Sequence, residues 1–338
     1  MKPKPQGVAL ASKGRAVAWR YVDIIGDVHG CIDELRALLT RLGYEAGVDA
    51  AWRHPEGRKL VFVGDLCNRG PDTPAVLDLV GATVRAGSAI TVLGNHDRHV
   101  LRWMRGKIDP RDDDLGATAE LYARLPTRER EDALRRHRRL LKQAPLWLLL
   151  DPADDGPTRP PARTARLSGN DPRSAGEGRG KREKPDKDLR AARASARQAR
   201  LVVAHAAWHP DVIGAAKKRA RAWCLYGPTL PRDPETGRKP RLDWTLAYPA
   251  DAPPCLHGHT AFDGAPLWRG RSLCIDTGCA YGGALSALRW PARRIVREPA
   301  RRTYFQHLDF RPRPSLIDPR AAGLDDSMIA RAEGAELR

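Results

Sequence analysis

Short apolar runs recur along the chain, and several of them end at a glycine that is followed by polar or charged residues. Runs of four or five apolar residues bounded by turn residues are typical of buried β-strands. After the first run, apolar residues fall at helical spacing, which predicts a helix directly after the first turn. The predicted strands are residues 21–25, 60–63, 89–93 and 201–204, with a further strand that ends at Leu256 and His257.

The first strand and helix are joined by Gly26-Asp27-Val28-His29-Gly30. The two glycines allow a sharp turn, which would place Asp27 and His29 at the carboxyl end of the strand. Open α/β sheets bind their ligands at this edge, and a carboxylate and an imidazole two residues apart can reach one metal ion. Alone, this pair is equally explained by a turn aspartate and a hydrogen-bonded histidine.

Recurrence of the pattern makes the metal interpretation stronger. Five strand ends carry side chains that can bind metals, an arrangement that chance does not readily produce. The set mixes carboxylate, amide and imidazole ligands, which suits manganese, iron or zinc better than an all-oxygen magnesium site. The candidate ligands are Asp27, His29, Asp65, Asn95, His205 and His259.

Three motifs make a family resemblance specific. They are Gly-Asp-Val-His-Gly-Cys at residues 26–31, Gly-Asp-Leu-Cys-Asn-Arg-Gly-Pro-Asp at 64–72 and Gly-Asn-His-Asp at 94–97. In this order they resemble the calcineurin-like metallophosphoesterases, within them the phosphoprotein-phosphatase branch, over residues 22–293. The later Ile-Asp-Thr-Gly-Cys at residues 275–279 resembles bacterial members, including diadenosine tetraphosphate hydrolases and the phosphatase domain of RNA-end repair enzymes.

The resemblance implies a fold and a metal centre. The implied fold is an α/β sandwich of two mixed sheets flanked by helices, with two divalent ions at the strand ends. Manganese is the first expectation, and iron or zinc are alternatives. By residue matching, Asp65 bridges both ions and Asp27 with His29 binds the first, while the second is bound by Asn95, His205 and His259. His257 is expected to support this site or to be structural.

The same matching assigns catalytic roles. His96 corresponds to the general acid that protonates the leaving oxygen, and Arg69 to the arginine that holds the phosphate. Asn68 departs from the family pattern, which has aspartate there. An asparagine brings no charge to the catalytic histidine, so we expect a lower pKa for His96 and weaker action on poor leaving groups.

The implied function is a dinuclear-metal phosphoesterase of the phosphoprotein-phosphatase type. It would hydrolyse phosphate monoesters or phosphoanhydrides by attack of a metal-bound hydroxide. The substrate stays open among a phosphoprotein, a nucleotide and an RNA end. The alternative is a module that binds nucleic acid or another polyanion and whose catalytic site is weakened by Asn68.

Composition adds a partner hypothesis and a location. The 338 residues carry a formal net charge of +18, which favours nucleic acid or phosphorylated partners on a basic surface, or else reflects an arginine-rich background with basic tails. No Cys-x-x-Cys pair occurs among the six cysteines, which argues against a structural zinc site. No membrane span or secretory segment is recognised, so the expected location is cytoplasmic.

Composition also suggests how the chain is divided. Residues 1–20 are basic and predicted to be a tail or edge segment, residues 21–298 form the metallophosphoesterase domain, and residues 299–338 form a C-terminal tail. Residues 152–200 are rich in Pro, Gly, Ser, Ala and Arg with almost no large apolar residue, so we expect a disordered insertion. A helix near its end is the less favoured interpretation of its Ala- and Arg-rich part.

Overall fold

The computed structural model describes residues 8–10, 14–111, 115–150, 189, 193, 196–235, 239–262, 265–306 and 316–322. Residues 152–188 of the predicted insertion and most of the predicted C-terminal tail therefore lie outside the described residues. None of the helices in the part of the chain that is described is long and apolar enough to cross a membrane.

Fourteen strands, described here in chain order, build two large sheets and one small hairpin. The strands are β1 Val8–Leu10, β2 Gly14–Val17, β3 Val22–Ile25, β4 Glu45–Ala46, β5 Trp52–Arg53, β6 Lys59–Phe62, β7 Ala89–Thr91, β8 Trp147–Leu150, β9 Leu201–Ala204, β10 Cys255–His257, β11 Leu267–Arg269, β12 Ser272–Cys274, β13 Ala284–Trp290 and β14 Arg294–Pro299. One sheet has the order β1-β2-β8-β9-β10-β12-β11, the other the order β14-β13-β3-β6-β7, and β4 pairs with β5.

Six α-helices are found among the described residues and cover the outer faces of the sheets. They are α1 Ile32–Arg41, α2 Thr73–Arg85, α3 Asn95–Trp103, α4 Leu115–Ala123, α5 Thr127–Gln143 and α6 Lys217–Tyr226. The start of α2 is capped: the side chain of Asp72 accepts a hydrogen bond from the backbone N–H of Ala75, and Pro74 occupies the first turn.

Alternate residues of each strand pack into different layers. In the five-stranded sheet, Ile24 and Val61 are parallel neighbours and belong to a buried cluster that also holds Leu148 and Val203 of the seven-stranded sheet. The adjacent Phe62 belongs instead to the cluster beneath the helices. Successive side chains of a strand point to opposite faces of the sheet, and here both sets are apolar and buried. Each sheet is therefore covered on both faces. The predicted sandwich of two mixed sheets flanked by helices is confirmed.

Strands β3, β6 and β7 run parallel, and so do β9, β10 and β12 in the other sheet. Within each group, the carboxyl ends of the strands therefore lie along the same edge of the sheet. The loops that follow these ends can meet there. These loops and the first turn of α3 contain all the metal ligands and catalytic residues predicted from the sequence.

The termini of the domain differ from the prediction. Gly14–Val17 is not a tail but a strand that pairs in parallel with β8, so the alternative of an edge segment is the correct one there. Residues 300–306 also pack on the domain, with the backbone N–H of Tyr304 bonded to the carbonyl of Ala280 and its hydroxyl to Glu34. The packed part of the chain therefore continues past residue 298, where the sequence predicted that a tail begins.

The end of the insertion is also docked rather than free. Residues 189, 193, 196 and 197 are helical, Leu189 packs against an apolar cluster and Ala196 is fully buried in it. Arg193 pairs with Asp211, and Arg197 with Asp251. At these residues, apolar packing and two ion pairs hold a stretch whose composition alone predicts disorder.

Candidate active site

Two groups of potential metal-binding atoms share Asp65. One combines Asp65 with His29 and His96, and the other combines it with His205 and His259, with all atoms of a group within 4.8 Å of one another. An oxygen of Asp65 lies 3.6 Å from Nε2 of His29 and 3.4 Å from Nε2 of His205. The carboxylate is thus within reach of both groups, as its predicted bridging role requires.

Asn95 completes the second group. Its Oδ1 lies 2.8 Å from Nε2 of His205 and 3.0 Å from Nδ1 of His259, and these two nitrogens are 3.2 Å apart. The three atoms converge on one point from three different loops. Convergence of an amide oxygen and two imidazole nitrogens is the geometry of a cation site.

Backbone carbonyls orient two of the imidazoles. Nδ1 of His29 bonds to the carbonyl of Cys67 at 2.9 Å, and Nδ1 of His205 to the carbonyl of Val63 at 3.0 Å. A carbonyl only accepts, so Nδ1 carries the proton and Nε2 keeps the lone pair that a metal ion would bind. Burial and the nearby Arg69 lower the pKa of His29 to about 3, which keeps this ring neutral.

The charge of Asp65 dominates its surroundings. Burial acts to raise its pKa, but the imidazoles of His205 and His96 outweigh burial and hold the pKa of Asp65 well below its usual value. For His205 the balance is the converse: burial disfavours the imidazolium, and Asp65 nevertheless raises the pKa of that histidine. A buried carboxylate that stays ionised in this way is suited to a cation partner.

Asp27 lies beside the second group. Its Oδ2 accepts the backbone N–H of His259 at 3.0 Å, whereas its Oδ1 is buried and has no hydrogen-bond partner. Burial raises the pKa of Asp27 well above its usual value, and the neighbouring Asp276 and Asp65 raise it further. Three buried carboxylates and an unpartnered oxygen are the features that divalent ions would stabilise.

Backbone strain is concentrated in this region. Of the seven non-glycine residues with positive φ among the described residues, five are predicted site residues. Such conformations cost free energy and persist where surrounding structure enforces them, most often at functional sites. The five are His29, Asp65, Asn68, Arg69 and His259, with φ between 47° and 71°.

Two glycines allow the loops to approach one another closely. A Cβ atom on Gly94 would collide with the carboxylate and backbone of Asp65, and one on Gly258 would collide with the carboxylate of Asp27. The glycines of these motifs therefore serve the close packing of the loops that carry the ligands. His257, next to Gly258, is buried against Trp244 and lies outside both donor groups, as expected for a structural residue.

Asn68 fixes the orientation of His96. The hydroxyl of Thr118 donates to Oδ1 of Asn68 at 2.7 Å, so the amide presents its NH₂ group to Nδ1 of His96 at 3.1 Å. Nδ1 of His96 then accepts, and its proton resides on Nε2. Burial, with a smaller contribution from Arg69, places the pKa of His96 well below its usual value against the opposing effect of Asp65, the direction expected from the sequence.

Aromatic rings hold the guanidinium of Arg69. Its Cζ lies 5.2 Å from the ring centroid of Tyr281 and 5.6 Å from that of Phe305, and Nη1 is 2.9 Å from Nε2 of His29. Such cation–π contacts leave the planar fork of the guanidinium oriented for an anion. Phe305 belongs to the segment that the sequence suggested was a tail.

Other residues of the site were missed at the sequence level. Asp97 accepts the backbone N–H groups of Leu66 and Gly94 and so ties two ligand loops together. Its place in the Gly-Asn-His-Asp motif was a usable signal. Thr118 and Tyr281 give no such signal, because their contacts arise only from the tertiary fold.

A narrow cleft opens beside His259. Its wall includes Tyr226, Arg241, Trp244 and Phe262. The cleft thus combines aromatic faces with a cationic side chain next to the second group of donor atoms.

Comparison with known proteins identifies the family. Residues 21–263 match the family of calcineurin-like phosphoesterases. The chain belongs to this family. The predicted enzyme class, a metal-dependent phosphoesterase, is confirmed, as is the calcineurin-like resemblance. Divalent metals serve this family, and the two donor groups around Asp65 can hold such ions.

Curated relatives span the chain almost from end to end. The asymmetrical bis(5'-nucleosyl)-tetraphosphatase PrpE of Geobacillus thermodenitrificans is 34% identical over 282 residues, covering 83% of this phosphoesterase and 94% of the relative. The protein of the same name from Bacillus subtilis is 30% identical over 292 residues, covering 86% and 98%. A crystal structure to which diadenosine tetraphosphatase activity is ascribed has a TM-score of 0.50 at 20% identity, covering 87% of this chain and 99% of that one, and supports the fold.

Proposed function

We propose that this phosphoesterase hydrolyses a phosphoanhydride bond of dinucleoside polyphosphates, with diadenosine tetraphosphate as the reference substrate. The observation that carries the proposal is the amide of Asn68, which donates to His96 and leaves that residue a neutral proton donor. The names of the curated relatives support the same substrate class.

Two divalent ions are assigned to the centre, with manganese as the first expectation and iron or zinc as alternatives. Asp65 would contact both ions; Asp27 and His29 would hold the first, and Asn95, His205 and His259 the second. The unpartnered Oδ1 of Asp27 and the converging atoms of the second group fit this assignment. When bound, such ions neutralise phosphate charge and acidify water.

The chain's own residues position the phosphate and supply a proton. Arg69, held between Tyr281 and Phe305, donates its guanidinium N–H groups to phosphate oxygens. His96 donates the proton on Nε2 to the leaving oxygen. Burial of the centre excludes bulk water and strengthens each of these electrostatic contacts.

The chemistry of His96 favours a good leaving group. A neutral imidazole is a much weaker acid than an imidazolium, so it assists little when a strongly basic alkoxide departs. A nucleotide leaves a phosphoanhydride as a weakly basic phosphate and needs less protonation. The aromatic and cationic wall beside His259, which includes Trp244 and Arg241, is assigned to contact one nucleoside of the substrate.

Product analysis tests this proposal. With Mn²⁺ and diadenosine tetraphosphate, we expect unequal products, adenosine triphosphate and adenosine monophosphate, separated by ion-exchange chromatography. Serine phosphopeptides and RNA with a terminal phosphate serve as competing substrates under the same conditions. Faster turnover of either competitor, or release of two diphosphates, would contradict the assignment.

Asn68→Asp is expected to change leaving-group preference. Aspartate would accept a proton from Nδ1 of His96 and favour the charged, more acidic ring. We expect turnover of alkyl phosphates to rise about tenfold, a part of the 10²–10⁴-fold that full acid catalysis contributes, with a smaller change for p-nitrophenyl phosphate. Unchanged alkyl-phosphate turnover would show that Asn68 does not limit His96.

Tyr281→Leu is expected to weaken phosphate binding through Arg69. Loss of one cation–π contact of about 0.5–1 kcal/mol corresponds to a rise in KM of about two- to fivefold, with kcat less affected. Tyr281→Phe keeps the ring and is the matched control, so it should preserve KM. A fall in kcat with constant KM would show that the ring does not act through substrate binding.

The polyanion-binding module stays the alternative to an enzyme limited by Asn68. The two donor groups around Asp65 do not support this alternative, because a module that only binds polyanions does not need a metal centre. Nucleic-acid affinity that falls steeply with salt, together with no metal-dependent turnover, would be its signature.

A further inference from the structure

A third group of metal-capable side chains lies outside the catalytic centre. Cys31, Glu34 and Cys279 place two sulfur atoms and a carboxylate oxygen within 4.8 Å of one another. Each residue is at most 2% exposed. The two cysteines lie near opposite ends of the domain sequence, and the fold brings them together. A search for Cys-x-x-Cys spacing therefore does not detect them.

Glu34 provides a second, independent observation. Its Oε1 accepts the backbone N–H of Arg301 at 2.9 Å and the hydroxyl of Tyr304 at 2.7 Å. Its Oε2 is buried and has no hydrogen-bond partner. A glutamate in the first turn of a helix is usually explained by the helix dipole, but that effect needs no burial, and a buried oxygen left unpaired is costly.

We propose that Cys31, Glu34 and Cys279 form a structural zinc site. Two thiolates and one carboxylate are a donor set that zinc accepts. The hydrogen bonds to Oε1 hold the carboxylate in place and leave Oε2 available to an ion, as outer partners do in metal sites.

Such an ion would connect three parts of the chain. Cys31 precedes α1 and follows the loop of His29, Cys279 begins the turn that contains Tyr281, and Glu34 contacts the segment of Tyr304 and Phe305. Tyr281 and Phe305 are the rings that hold Arg69. The site therefore fixes the segments whose rings contact Arg69, and it positions this arginine indirectly.

Cobalt spectroscopy tests the site. Metal-stripped wild-type protein titrated with Co²⁺ should develop a near-ultraviolet thiolate-to-cobalt charge-transfer band, and added Zn²⁺ should remove it. No cysteine belongs to the donor groups around Asp65, so that centre cannot produce the band. Asp65→Asn should keep the band, which makes this result independent of the proposed activity.

Variants assign the band to residues. Cys279→Ser and Cys31→Ser should abolish it, and Cys224→Ser, which removes an equally buried thiol elsewhere, should keep it. Glu34→Gln preserves shape and should lower the cobalt affinity by at least tenfold, which decides the matter if a serine variant fails to fold. The proposal is overturned if the folded wild-type protein gives no band, or if a mass two hydrogens lower reveals a disulfide between Cys31 and Cys279.

Discussion

Asp65→Asn is expected to reduce metal-dependent hydrolysis by about 10³-fold or more. The carboxylate of Asp65 belongs to both donor groups, with one oxygen 3.6 Å from His29 and 3.4 Å from His205. An amide keeps the shape but loses the charge, and metal centres of this kind contribute several kcal/mol, where each 1.4 kcal/mol is a factor of ten in rate. The measurement is p-nitrophenyl phosphate hydrolysis by metal-stripped protein with and without added Mn²⁺.

Two controls separate loss of metal from loss of structure. Asp49→Asn changes an exposed aspartate that pairs with Arg53, and it should retain full activity. The amount of Mn²⁺ bound by Asp65→Asn should fall while its thermal unfolding stays cooperative. Wild-type turnover that is independent of metal, or full activity in Asp65→Asn, would refute the two-metal assignment.

The predictable part of this molecule is local in sequence. Asp27, His29 and Asp65 stand directly after apolar runs that are strands in the structure, and parallel strands deliver their loops to one edge. Strand pattern and motif therefore suffice to bring these residues together. Their roles as ligands remain predictions, to which the strained backbone and the unpartnered oxygen of Asp27 add physical support.

The unpredictable part depends on contacts between distant segments. Gly14–Val17 has no period that marks a strand, and it becomes one because β8 offers an edge. The arginine-rich composition around Leu189 predicts a solvated segment. Leu189 is nevertheless helical and packs against an apolar cluster of the domain. Phe305 beside Arg69 is a further case. Propensity is a weak guide wherever tertiary packing decides the outcome.

The role of His96 should appear as a dependence on the leaving group. His96→Gln keeps the backbone N–H that bonds to Asp65 at 2.9 Å but removes the acidic N–H of the ring. General acids contribute about 10²–10⁴-fold, so turnover of an alkyl phosphate should fall by a factor in this range. Hydrolysis of p-nitrophenyl phosphate or diadenosine tetraphosphate should fall less, because those leaving groups are weakly basic.

The comparison of substrates is what makes this result decisive. His209→Gln is the matched control, since His209 packs on Trp223 away from the donor groups and should leave both rates unchanged. Equal losses for good and poor leaving groups in His96→Gln would mean that His96 orients the phosphate rather than donating a proton. The loss caused by His96→Gln should instead grow with the basicity of the leaving group. If this loss is larger still when His96→Gln is made in the Asn68→Asp variant, Asn68 sets the acidity of His96 and thereby the substrates that this phosphoesterase can cleave.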